Sequence, residues 1–307
     1  MKENIAYELH KPARKRFIRR AFKVIGINET VQIDLIDMQS YSKDNLGYNY
    51  ILTLIDIFSK KAYAIPLKNK TGPVVTEAIQ NILPKGVKNI QSDQGNEFFN
   101  KHFKALMQKL GINHYHTYST TKAAIVERFQ RTLKNWLFRE ISAQGSYRWL
   151  DLLPKLIKKY NNKIHRSIGM KPNQVNVKNS KTVYKNLLLS SKANKLKVKK
   201  PKFKVGDSVR ISKHKHVFSK SYTPSWTTEL FTIIKIKNTK PTTYILKDEN
   251  GNIIKGGFYE QELLKTKYKD MYLIEKILSR KGDKLYVKWL GFPNSKNSYI
   301  NVKDILN

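Results

Sequence analysis

The sequence predicts an α/β core followed by small β modules, and three observations carry that reading. Three β-rich runs at 31–38, 50–58 and 61–67 are separated by turn-forming Lys-Asp-Asn and Ser-Lys-Lys, the pattern of an antiparallel meander. Helix and strand patterns then alternate: a helix near 73–83, a strand at 88–92, a helix near 98–110 and a strand at 112–116, the βαβ order of a mixed sheet covered by helices. Beyond residue 203 short segments (DSVRIS, ELFTIIKI, TTYILKD) are divided by Gly, Pro and Asn-Gly, as in a small β-barrel.

The remaining stretches follow in order. Residues 10–23 carry seven Lys/Arg and no acid, which reads as an arm lying on phosphate or, equally, as a solubilising tail. Residues 122–140 lack Pro and Gly and place Val126, Phe129, Leu133, Trp136 and Leu137 at helical spacing; a further helix is expected near 148–161. Residues 192–204 hold seven lysines in thirteen positions and no acid, marking an interdomain linker that can also touch DNA. The last β unit runs MYLIEKIL, turn KGDK, LYVKWLGF, then NSYINVKDIL, which can end in a helical turn. The chain therefore divides into a basic N-terminal arm (1–27), the α/β core (28–177), a Lys-rich linker (178–202), a small β-barrel (203–266) and a terminal β module (267–307).

Composition narrows the function. The 307 residues suffice for two or three domains, and 40% hydrophobic content is that of a globular protein. A formal charge of +36, from 59 Lys+Arg against 23 Asp+Glu, implies a large polyanionic partner, with nucleic acid the first candidate. No apolar run of 18 residues, signal-peptide core or long basic amphipathic helix is present, so a membrane is not the expected partner and an intracellular setting is. With no cysteine, zinc is not expected, and oxygen or imidazole ligands favour hard cations such as Mg²⁺ or Mn²⁺.

Phosphoryl transfer between DNA strands uses two divalent ions about 4 Å apart, so acids must converge from distant parts of the chain. Asp34 lies inside the apolar strand pattern VQIDLID, Asp93 ends a strand in IQSDQGNEF beside Gly95, and Glu127 sits in the helix segment KAAIVERFQRTLK. Each has a plainer explanation: a strand Asp is commonly a turn or edge residue, and a helix Glu four residues before Arg131 is commonly a surface ion pair. Asp37, Asp56 and Glu97 compete for the same role, and the residues alone do not rank them. Lys122, Arg128, Arg131 and Lys134, on or beside the Glu127 helix, and Lys195, Lys197, Lys199 and Lys200 in the linker are the candidate DNA contacts, with solvated charge as the alternative. His114 and His116 share one strand face and suit DNA contact or packing better than a hard-ion site, while His165 and Arg166 suit a helix end or loop.

A family resemblance ranks the acids. SDQGNEF and GINHYHTYSTTKAAIVERFQRTLK resemble the core of retroviral-type integrases, in which an Asp opens an Asp-x-Gly-x-Glu-Phe turn and a Glu precedes an Arg on the next helix. The first acid maps by the same resemblance to Asp34. HKPARKRF, YNNKIHRSIGMKPNQV and KFKVGDSVRISK further resemble integrases of Polinton (Maverick) elements and related virophages. The resemblance implies a ribonuclease-H-like core over 28–177, and a catalytic and metal-binding triad of Asp34, Asp93 and Glu127 holding two Mg²⁺ (or Mn²⁺) ions. It further implies removal of terminal nucleotides from element ends, and transfer of the new 3′-hydroxyls into target DNA. The implied partners are double-stranded DNA, as element ends and target, and further copies of the chain in a homo-oligomer. The implied location is a host nucleus, or a virion or viral factory for a virophage protein. Ala123-Ala124-Ile125 departs from the Asn-Gly-containing turn of many retroviral relatives, and the His₂Cys₂ zinc module cannot be built without cysteine.

In the terminal module, Tyr272, Trp289 and Phe292 are strand aromatics whose commoner fate is a core. Their setting, Tyr-x-x-Glu-Lys-Ile-Leu then Val-Lys-Trp-x-Gly-Phe, resembles chromodomains, which implies a methyl-lysine cage and a methylated histone tail as partner. Tyr299 and Ile300-Asn301 depart from the Trp and Glu-Pro usual there, and the acidic lead-in is missing. Two other functions stay open: a nuclease of the same fold, and a non-catalytic chromatin-binding protein derived from an integrase, whose sign would be loss of one acid.

Overall fold

The computed structural model describes residues 2–14, 16–20, 24–116, 124–190, 200–213, 222–269 and 271–305. The chain divides into two compact units, Phe22–Ser191 and a second one joining Met1–Ala21 to Lys192–Asn307.

The first unit is built on a five-stranded sheet. β1 (Thr30–Asp37), β2 (Tyr50–Asp56) and β3 (Ala62–Leu67) form the expected meander, β2 pairing antiparallel to both neighbours. β4 (Asn89–Ser92) and β5 (Asn113–His116) extend it in parallel on the other side of β1, giving the order β3-β2-β1-β4-β5. Parallel neighbours need crossovers. These are α2 (Gly72–Ile82) and α3 (Lys101–Leu110), whose Val75, Ile79, Phe103 and Leu106 pack one sheet face together with Val31, Ile33 and Ile90. Asn100 caps α3 by accepting from Phe103 N–H, and Gly111 ends it in the left-handed conformation at φ 65°.

The opposite face is covered by α4 (Ala124–Gln144) and α5 (Leu152–Asn161). Of the apolar stripe read from sequence, Val126, Phe129, Leu133 and Leu137 of α4 are buried there and Trp136 is partly buried against them. α5 is fastened to the meander by Asn161, whose side chain bonds both Ala62 N–H (2.9 Å) and Ala62 C=O (2.8 Å). α6 (Ser180–Ser190) falls inside the stretch expected to be linker; Val183 is its buried residue, packed with Phe58 and Ile168.

The second unit contains an element not anticipated in the basic arm. α1 (Lys2–His10) buries Ile5 and Leu9 against Trp226, and Glu8 pairs with Arg210. The region expected to be a barrel is a five-stranded antiparallel sheet of β6 (Ser208–Ile211), β7 (Phe231–Lys237), β8 (Thr243–Lys247), β9 (Phe258–Tyr259) and β10 (Leu263–Lys265), ordered β10-β6-β7-β8-β9. Its core holds Phe203, Val209, Ile233, Tyr244 and Leu246. The arm runs on along it: Phe17 lies 5.5 Å from the Tyr259 ring, and Arg20 N–H donates to Tyr259 Oη (3.0 Å).

The terminal module is a three-stranded sheet, β11 (Ile274–Lys281), β12 (Lys284–Trp289) and β13 (Ser298–Asn301), followed by one 3-10 turn at Val302–Asp304. Gly291, at φ +82°, lies so close to Thr228 that a Cβ would collide with its hydroxyl, so a side chain is excluded on two grounds. Among the described residues no helix is long and apolar enough to cross a membrane.

Candidate active site

Asp34 sits in the middle of β1, the central strand of the sheet, and its half-buried side chain accepts from Leu35 N–H at 2.8 Å. Asp93 follows β4 directly and is also half-buried; its Oδ1 accepts from Gly95 N–H at 3.1 Å. The Glu97 carboxylate lies over Gly95, where a Cβ would come within 2.6 Å of its oxygens and make that side chain shift. Glu127 lies in the first turn of α4, where the helix dipole favours a carboxylate, and faces solvent.

The parallel pairing of β1 with β4, with α4 laid over that face, brings the three acids into one electrostatic group. Burial above all pushes the Asp34 carboxyl up to about 6, and the Asp93 and Glu127 charges push it the same way, while the Leu35 and Gln130 hydrogen bonds oppose them. Two of the three competitors, Asp56 and Asp37, separate from this group by their partners. Asp56 is fully buried but spent on its own turn, accepting from Phe58 N–H, Ser59 N–H and Ser59 Oγ. Asp37 is exposed and holds the Gln39 backbone and side chain.

The donor set is all-carboxylate, and the surroundings of Asp34 disfavour its charge, so the chemistry of the set fits a hard divalent cation. Among the described residues no three His, Asp or Glu side chains stand close enough to form a ready-made metal cluster, so the fit is one of donor chemistry and coupling rather than of closed coordination.

Arg128, Arg131 and Lys134 are exposed on α4, and Lys200 is exposed ahead of β6; Lys122, Lys195, Lys197 and Lys199 lie outside the described residues. His114 is a packing residue: its ring lies 4.5 Å from Phe99 and 4.8 Å from Phe103, its Nε2 is 2.9 Å from Ser92 Oγ, and burial holds its pKa down to about 4. His165 fixes its loop, with Nδ1 3.0 Å from Ser167 Oγ and a backbone bridge to Met170. Burial together with the cations Lys60, Arg128 and Arg166 holds its pKa down to about 4.

Sequence reasoning missed Lys60, buried in a left-handed conformation (φ 62°) with Nζ donating to Ile57 C=O at 2.6 Å; burial pulls its pKa down to about 8. It also missed three glutamines. Gln130 Nε2 donates to Thr53 Oγ1 (3.0 Å), which donates to Asp34 C=O (2.8 Å), while Gln32 and Gln91 lie buried two residues before Asp34 and Asp93. The repeated Gln-x-Asp, QID and QSD, was the available signal.

The three aromatics of the terminal module do converge. Tyr272 stands edge-on to Trp289 (5.9 Å, 64°) and to Phe292 (5.6 Å, 79°), and its hydroxyl donates to Glu249 at 2.6 Å. Trp289 Nε1 donates to Ser298 Oγ (3.0 Å). Toward α1, Tyr272 and Phe292 line a cavity of about 10 Å³ closed by Ile5 and Leu9.

Residues 26–121 match the family described as "Integrase core domain". An uncharacterized transposon-derived protein of Caenorhabditis elegans, F54H12.3, is 36% identical over 230 residues, covering 74% of this chain and 76% of that protein. The Gag-Pol polyprotein of feline leukemia virus is 31% identical over 132 residues, 41% of this chain but only 8% of the polyprotein. Among solved structures, the simian T-cell lymphotropic virus intasome in complex with PP2A regulatory subunit B56 gamma aligns over 86% of this chain and 91% of its own, at 15% identity and TM-score 0.55, a likeness of fold. With a relative matched along three quarters of both chains and the core model laid over β1 to β5, this chain belongs to the integrase core domain family of retroviral and transposon-derived type.

Proposed function

We propose that the chain is a DNA integrase of a mobile element, acting by metal-dependent 3′-end processing and strand transfer into target DNA, with Asp34, Asp93 and Glu127 as its metal-binding carboxylates. The observation that carries this reading is that β1 pairs in parallel with β4 and Gln32 of β1 bonds the start of α4, which sets the elements bearing these acids side by side within the matched integrase core and the helix after it. When bound, two Mg²⁺ (or Mn²⁺) ions supply activation of the attacking oxygen and stabilisation of the leaving oxygen. The protein's part is to hold the acids on rigid elements and to offer Arg128, Arg131 and Lys134 to the phosphates flanking the scissile bond. Lys122 and the linker lysines Lys195, Lys197, Lys199 and Lys200 are the further phosphate contacts of this reading, a homo-oligomer holds the two element ends, and the host nucleus is where target DNA is met. Descent from Polinton or virophage elements is part of the same reading, on the motif likeness.

Incubating the protein with labelled element-end DNA, supercoiled target and Mg²⁺ or Mn²⁺ tests it. Joined products are expected; nicking without joining would make the protein a nuclease, and binding without either would make it a non-catalytic chromatin binder.

The aromatic trio supports a second element of the proposal, that the terminal module binds a methylated histone tail. The cavity toward α1 has room for about one water, less than a trimethylammonium group needs, so the cation would sit on the outer side of Tyr272, Trp289 and Phe292. Trp289→Ala in the full chain is expected to weaken binding of a trimethyl-lysine peptide by about 1–2 kcal/mol and to leave joining on naked DNA unchanged. Titration with trimethylated and unmodified peptides checks this, and equal affinity for the two would leave the trio as packing residues.

A further inference from the structure

A buried polar network lies beneath the proposed site. Gln32 and Gln91 are both 0% exposed and directly opposed in the parallel register of β1 and β4. Burying two primary amides in a sheet is costly unless their hydrogen bonds are made.

Here the bonds of Gln32 and of the Gln91 oxygen cross between elements, while Gln91 Nε2 is buried with no hydrogen-bond partner among the described residues. Gln32 Oε1 accepts from Ile125 N–H (3.1 Å) and Val126 N–H (2.9 Å), and Gln32 Nε2 donates to Gln91 Oε1 (2.9 Å). The amide orientations are forced rather than chosen: two backbone donors demand an oxygen at Gln32, its nitrogen must then donate, and Gln91 must accept. Ile125 and Val126 stand at the described start of α4, so a side chain of the sheet, Gln32, bonds the N–H groups of its opening turn.

Each end of the network sits next to a proposed metal ligand. Gln32 is two residues before Asp34, on the same strand face, Gln91 is two before Asp93, and the capped turn carries Glu127. We infer that Gln32 and Gln91 are positioning residues that set the three carboxylate-bearing elements in register, so that divalent-ion affinity depends on two amides that touch no ion. This inference rests on the metal-site reading above. Apolar replacement breaks the link: Gln32→Met keeps the length of the side chain but leaves two buried N–H groups and the Gln91 oxygen without partners.

The test measures Mn²⁺ binding to the full chain by electron paramagnetic resonance, with joining rate as a second readout. Glu127→Gln is the control for the underlying reading; if it binds Mn²⁺ like wild type, that reading fails whatever Gln32 does. With the control weakened, Gln32→Met and Gln91→Met are each expected to lower Mn²⁺ affinity about tenfold, and the double variant little more than either alone, because both cut one chain of bonds. Leu133→Ala, which opens the core beneath α4, should lower thermal stability at least as much with Mn²⁺ affinity retained. Unchanged Mn²⁺ affinity in Gln32→Met, or an equal loss in Leu133→Ala at matched destabilisation, would reduce the glutamines to ordinary core polar residues. Should Gln32→Met fail to fold, Gln91→Met decides alone, since it removes the Gln32–Gln91 bond and leaves the helix cap in place.

Discussion

Asp34→Asn, Asp93→Asn and Glu127→Gln are each expected to lower strand joining about a thousandfold or more, the equivalent of several kcal/mol of lost metal-ion stabilisation, while DNA binding stays close to wild type. Near-wild-type joining in Mg²⁺ by any one variant would remove that residue from the site. Asp34 offers an independent check because its carboxyl is pushed up to about 6, by burial first and the neighbouring acids second. A carboxyl raised on folding favours the folded state most at low pH, where it is protonated in both states, and loses that advantage as pH climbs from the ordinary carboxylate range to about 6. Without divalent ions, therefore, Asp34→Asn should melt higher than wild type at pH 7 and alike at pH 4. The gain is at most about 3 kcal/mol, reduced by solvent screening at a half-exposed group. Mg²⁺ should then raise the melting temperature of wild type and not of the variant, since a ligand that binds only the folded state stabilises it by mass action. A variant less stable than wild type at pH 7 would contradict the strained-carboxylate picture.

The α/β core was legible because its elements carry strong periods. The β2 run YILTLID is buried at every position, and the α4 stripe from Val126 to Leu137 was read residue by residue. α1 was not legible: Ile5 and Leu9 are a single i, i+4 pair beside a basic run, and the surface they need is Trp226, more than two hundred positions away. α6 was hidden similarly, with only Val183 fully buried in eleven residues. In the proposed site, Asp34, Asp93 and Glu127 were nameable, yet residues alone could not rank them above Asp56. What separates Asp56 is a turn that consumes its oxygens, and that is a property of geometry. The glutamines were passed over because an amide inside an apolar strand pattern reads as an exposed position until the sheet shows what lies above it.

The unread helix α1 carries the other large expected effect. Glu8 (6% exposed) and Arg210 (1%) meet at 2.6 Å, and the guanidinium also donates to Thr227 C=O (3.0 Å) and Thr228 C=O (2.6 Å). A buried, well-bonded pair of this kind adds little over an apolar pair of equal volume, but breaking it leaves one charge buried without compensation. Glu8→Ala should therefore cost the unit formed by α1 and the two C-terminal sheets about 3–5 kcal/mol. Hydrogen exchange locates the loss: amides of 5–9 and those around Trp226, whose Nε1 donates to Lys11 C=O (2.8 Å), should lose protection, while those of the β1–β5 sheet keep theirs. Pairing Glu8→Leu with Arg210→Met removes both charges and should recover most of the stability. If Glu8→Ala is instead neutral, or the double variant is no better than the single, α1 is held by Ile5 and Leu9 alone, and the ion pair decides only where along the sheet the helix settles.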